Sequence, residues 1–81
     1  SNLKIAQKIS KKLHLFYNST KKNFANKNKI EILKNKIRNY NVKIDYLEIR
    51  NKNNLSRKFT KSNFKIFLSY YIQKVRLIDN L

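Results

Sequence analysis

Eighty-one residues carry 20 Lys and Arg against 4 Asp and Glu, a formal charge of +16, with no Cys, Gly, Pro, Met or Trp. That length makes one small domain, which buries about 60–65% of the surface its unfolded chain exposes, and the absence of Cys excludes disulfides and thiolate metal sites as reinforcement. The longest apolar run, "IFLSYYI" at 66–72, falls far short of the roughly 20 residues of a membrane span, and the amino terminus lacks the apolar core of a signal peptide, so the chain reads as soluble and cytoplasmic.

Charge of this size points first to nucleic acid or another acidic surface. Composition weakens that inference. Lys far outnumbers Arg, and Asn, Ile, Phe and Tyr are abundant while Gly and Pro are missing. This is the bias that an A/T-rich genome imposes on everything it encodes. Lys is spread from Lys4 to Lys74 with no dominant cluster, and neither an Arg stripe for base contacts nor Gly-rich aromatic turns for single strands are present. A small basic nucleic-acid-binding module is therefore the alternative reading. Non-specific binding at low salt is expected under any reading.

Leu3, Ala6, Ile9, Leu13 and Phe16 recur every three or four residues, which predicts an amphipathic helix over 2–17 with Ser1 as its cap. "NSTKKN" at 18–23 reads as a connector offering Ser19 and Thr20 as caps. Phe24, Ile30, Leu33, Ile37 and Tyr40 then share the stripe of a second helix that ends near Asn39–Asn41. Asn41 is the C-cap candidate, because Asn tolerates the left-handed backbone that commonly ends helices.

"VKIDYLEIR" at 42–50 alternates through Val42, Ile44 and Tyr46, then slips phase to Leu47 and Ile49, which predicts a strand with a bulge. A polar loop follows over 51–63, the most flexible segment expected, with Leu55 and Phe59 as anchors onto the core. "FKIFLSYYI" at 64–72 reads as a central strand covered on both faces, although a buried helix fits the same run. The break at Gln73 and Lys74 predicts a hairpin into a third strand over 75–81. Two helices followed by three strands give an α+β fold, with the helices packed on a small three-stranded antiparallel sheet.

Catalytic parts are few. Glu31, Asp45, Glu48 and Asp79 are the only acids and His14 is the only histidine, too few for a metal cluster or a His-based triad. Without Gly there is no Gly-rich phosphate loop. His14 reads as a surface residue beside the apolar stripe. Asp45 and Asp79 read as ion-pairing or bracing groups, and Tyr40, Tyr46, Tyr70 and Tyr71 as core or rim aromatics rather than stacking platforms. No catalytic residue, cofactor ligand or metal ligand is assigned.

"KIDYLEIRNKNNL" (43–55) followed by "FKIFLSYYIQKVRLIDNL" (64–81) resembles the carboxyl-terminal part of the pantoate–β-alanine ligase, or pantothenate synthetase, family. The resemblance rests on Asp45, Tyr46, Leu47 and Glu48, then Leu55, then the apolar run Ile66 to Ile72, then Arg76, Leu77, Ile78, Asp79 and Asn80. Asn41 and Gln73 stand where the family usually has Gly. The first is a sensible replacement; at Gln73 either the turn differs or the residue is strained. The resemblance implies a ligase that condenses pantoate with β-alanine through a pantoyl-adenylate, using ATP and magnesium. The nucleotide, the His-containing signature and a Ser-Ser-Arg-Asn signature would then belong to an amino-terminal Rossmann-like domain outside this sequence. On that reading residues 1–81 are a single carboxyl-terminal domain, inactive alone, whose partner is that catalytic domain. It acts as a lid that keeps water from the acyl-adenylate, and its charge concentrates the anionic substrates.

Overall fold

The computed structural model describes residues 2–23 and 26–81. The first apolar stripe forms helix α1, Asn2–Lys22, which buries Ile9 and Leu13. It extends beyond Tyr17 and absorbs most of the predicted connector, so Ser19 and Thr20 are helical residues and not caps. Tertiary packing explains this extension: Thr20 is buried, and its Oγ1 donates to the Phe16 carbonyl at 2.9 Å instead of competing for a cap. Lys21 and Lys22 occupy the last turn, where cations complement the helix dipole.

Helix α2, Lys27–Arg38, is capped by Asn26, whose side-chain oxygen accepts from Lys29 N at 2.9 Å. Leu33 and Ile37 are its buried residues. The C-cap is Asn39, with right-handed φ of −64°, while Asn41 carries the left-handed φ of 60° in the turn into the sheet. The expected cap therefore divides into two positions: one ends the helix and the other reverses the chain. The proposed Ser1 cap and the Phe24 start of the second stripe lie outside the described residues.

Strands β1 (Lys43–Arg50), β2 (Lys65–Ile72) and β3 (Val75–Asn80) form an antiparallel sheet in the order β1-β2-β3. The register of β1 on β2 shifts between Ile44 and Tyr46, a bulge that leaves Asp45 as the extra residue. This bulge lets Ile44 before it and Leu47 and Ile49 after it turn toward the same core. β2 and β3 are joined by the two-residue turn Gln73–Lys74, with Ile72 paired to Val75. Gln73 has φ of 56°, so the turn keeps a conformation that suits Gly and the glutamine bears the strain. The ladder runs past β3: Leu81 and Ile66 exchange backbone hydrogen bonds of 2.9 and 2.7 Å.

One core cluster joins the layers, with Ile9 and Leu13 of α1, Leu33 and Ile37 of α2, and the inward row Ile66, Leu68, Tyr70 and Ile72 of β2. The helices cover that face alone. The expectation of a strand covered on both faces is thus corrected. On the outer face of β2, Phe67 and Tyr71 are half-buried, and Ser69 is fully buried beneath a neighbouring side chain rather than a second layer.

The 51–63 loop is organised by asparagines. Asn51 Oδ1 accepts from Asn53 N at 2.9 Å and from Asn54 N at 3.4 Å, and Asn54 Oδ1 accepts from Ser56 N. Phe59 packs against the core and lies 6.3 Å from the Phe64 ring, as an anchor should. Leu55 does not serve as one. It takes φ of 59° in the Asn turn and remains 55% exposed, because that turn directs it to the outer side of the sheet beside Tyr46, Glu48, Arg50 and Phe67.

Candidate functional site

The sequence segments that carry the resemblance form the three strands, and alternate residues of each face outward, away from the helices. Strand alternation and the observed register put Tyr46 and Glu48 of β1, Phe67, Ser69 and Tyr71 of β2, and Arg76, Ile78 and Asn80 of β3 on this side. Arg76 reaches across β2 from one edge strand to the other. Its Nε donates to Ser69 Oγ at 2.8 Å and its Nη2 donates to Asp45 Oδ2 at 3.0 Å. The bulge makes this possible, since it releases Asp45 from the regular register and leaves its carboxylate within reach. Residues 31 positions apart are joined directly, and the same guanidinium also holds a buried hydroxyl.

The energetic weights of the two contacts differ. Arg76 and Asp45 side chains are 46% and 40% exposed, so solvent screening reduces their ion pair to at most about 1 kcal/mol. Ser69 is completely buried, and an unpaired hydroxyl there would cost about 1–3 kcal/mol. The hydroxyl contact dominates, and the carboxylate aims the guanidinium. A second pair on this face, Glu48 with Arg50 at 2.8 Å, lies within β1 itself.

Leu77 and Ile78 project to opposite faces, Leu77 against the core and Ile78 outward at 58% exposure. Asp79 opposes Leu68 on the inner side of β3. Its charge lies near Tyr70, whose hydroxyl is pushed above its ordinary pKa of 10.0 first by burial and then by that carboxylate. Tyr40, Tyr46 and Tyr71 are half-buried rim residues. His14 is exposed on α1, where its Nδ1 lies 2.8 Å from the Ser10 carbonyl oxygen. Among the described residues no three of His, Asp and Glu converge.

Sequence reasoning named Asp45 and Arg76 separately but missed their contact, because it depends on strand order and register. Its only available signal was the slip of phase after Tyr46, one position beyond the bulge at Asp45. Lysine placement also changes in three dimensions: Lys21, Lys52 and Lys61, scattered in sequence, line one pocket.

The family model described as Pantoate-beta-alanine ligase matches residues 1–81. The chain belongs to the pantoate–β-alanine ligase family. No curated protein and no solved structure matches it. The Asp45–Arg76 contact thus links the two segments that mark this ligase relative in sequence, and no described helix is long and apolar enough to cross a membrane.

Proposed function

We propose that residues 1–81 are the carboxyl-terminal domain of a pantothenate synthetase and act as a lid over an active site supplied by an amino-terminal domain. The family match across all 81 residues carries this reading. A lid must move as a unit, and the Arg76–Ser69–Asp45 brace ties both edge strands to the centre of the sheet, which suits rigid-body closure. Excluding water protects a reactive acyl-adenylate from hydrolysis. ATP and magnesium are expected on the amino-terminal domain, together with the groups that perform the chemistry. This chain would supply exclusion and positioning.

Little favours the nucleic-acid alternative. Three of the four arginines already have partners: Arg38 with Asn35, Arg50 with Glu48, and Arg76 with Ser69 and Asp45.

The test is the ratio of AMP released to pantothenate formed by the full-length enzyme, compared with enzyme lacking residues 1–81 and with the brace variant Arg76→Met. A lid predicts about one AMP per pantothenate in the intact enzyme and an excess of AMP when the lid is missing or loosened. An unchanged ratio and unchanged kcat in the truncated enzyme would refute the reading.

A further inference from the structure

Lys21 at the end of α1, Lys52 after β1 and Lys61 before β2 line one pocket with Tyr17, Ser62 and Phe64, enclosing about 370 Å³. Like charges gathered in one place repel, and a folded chain ordinarily relieves the repulsion with carboxylates. All four acids of this chain lie elsewhere: Glu31 at Lys34, Glu48 at Arg50, Asp45 at Arg76 and Asp79 beside Tyr70. Two of the ammonium groups are instead fixed by neutral partners, which set their positions without cancelling their charge. Lys61 Nζ donates to the Lys22 carbonyl at 3.4 Å, and Lys21 Nζ sits 4.6 Å from the centroid of the Tyr17 ring. Ser62 adds a hydroxyl, 3.3 Å from Thr60 Oγ1.

We propose that this pocket binds a compact, multiply charged phosphate of the pyrophosphate class through Lys21, Lys52, Lys61 and Ser62, independently of the lid role. Three ammonium groups match a small anion with several negative charges, and lysine binds phosphate as a point charge without a fixed fork geometry. The volume lies at the low end of the roughly 300–1,000 Å³ of small-ligand pockets. Base stacking is disfavoured because Tyr17 is already engaged, by Lys21 and by Phe64 with ring centroids 4.9 Å apart.

The experiment is a titration of the full chain with sodium pyrophosphate at physiological ionic strength, read by amide chemical shifts. The variants are K52Q/K61Q in the pocket and K8Q/K11Q on the exposed surface of α1, which remove the same charge. Saturable shifts are expected at Lys21 and Ser62. Affinity should fall about tenfold in K52Q/K61Q and less than about twofold in K8Q/K11Q. Should K52Q/K61Q fail to fold, the exposed single variant K52Q carries the same comparison, with a smaller expected loss of about threefold. Equal losses in the pocket and surface variants would overturn the site, as would shifts scattered along α1. A single-stranded oligonucleotide that binds here and is not displaced by pyrophosphate would overturn the small-phosphate assignment.

Discussion

The two faces of the sheet are held by different physics. On the inner face Leu47, Ile49, Ile66, Leu68 and Ile72 meet Ile9, Leu13, Leu33 and Ile37 in a continuous apolar cluster, whose attraction is non-directional and tolerates exchanges of similar volume. On the outer face a few directional contacts, Arg76 to Ser69 and Asp45 and Arg50 to Glu48, act on a surface left open to solvent. Burial on the first face decides that the chain folds. Of the contacts on the second, the Arg76 brace links the two edge strands to the centre of the sheet, while the Glu48–Arg50 pair stays within β1. The largest effect should therefore come from the inner face. Leu68→Ala, at a fully buried position in the middle of β2, should cost about 2–5 kcal/mol. In a domain this small that is a large share of total stability, and urea denaturation would read it as a lower midpoint. A loss below about 1 kcal/mol would mean that the helices are not pressed against the sheet.

Outer-face variants sharpen the contrast. Arg76→Ala strands the buried Ser69 hydroxyl and should cost about 1–3 kcal/mol, whereas Asp45→Asn removes only a solvent-screened pair and should cost under about 1 kcal/mol. If Asp45→Asn proved as costly as Arg76→Ala, the ion pair rather than the hydroxyl would dominate the brace. Adding Ser69→Ala to Arg76→Ala removes the stranded group and should recover part of the loss. Equilibrium denaturation of Arg76→Ala, Asp45→Asn, Ser69→Ala and the Arg76→Ala/Ser69→Ala double mutant measures each term.

The same division explains what the sequence disclosed. Inner-face elements were legible because burial leaves a period: the stripe through Ile9, Leu13 and Phe16, and the slip from Tyr46 to Leu47 that announced a bulge, which the structure places at Asp45. The end of α1 was illegible, since Ser19 and Thr20 are good capping residues and only the packing of Thr20 into the core, with its bond to Phe16, keeps the helix running. Leu55 was misread because composition marks it as apolar while the Asn turn before it sets its direction. Long-range contacts were hidden altogether. Arg76 meets Asp45, and Lys61 meets the end of α1, only after strand order and loop path are fixed.

A smaller effect tests the turns where the family usually has Gly. Gln73 and Asn41 have nearly the same φ, 56° and 60°, but Asn is the better tolerated there. Gln73→Gly should stabilise by about 1 kcal/mol, as relief of left-handed strain outweighs the added freedom of the unfolded chain. Asn41→Gly should be nearly neutral. Equal gains at both sites would show that the side chain of Asn41 gives no advantage. A loss at Gln73 would show that its side chain contributes more to the hairpin than its backbone strain costs.

The smallest effect appears only in alkali, where inner-face burial acquires an electrostatic cost. Tyr70 holds its proton more tightly in the folded chain than in the unfolded one, because burial and then Asp79 disfavour the phenolate. Below the ordinary value of 10.0 both states keep the proton and stability is unaffected. Above it the unfolded chain releases the proton first, so stability falls as pH rises until the folded group ionises as well. Other pH-dependent contributions are common to the wild type and Tyr70→Phe, so the difference between their denaturation midpoints from pH 8 to about 11 isolates the phenol. The wild type should lose stability relative to Tyr70→Phe above pH 10, and Asp79→Asn should narrow the difference without abolishing it, since burial is the larger cause. Parallel profiles would mean that Tyr70 is more open to water than its position between Ile44 and Leu77 across the sheet implies.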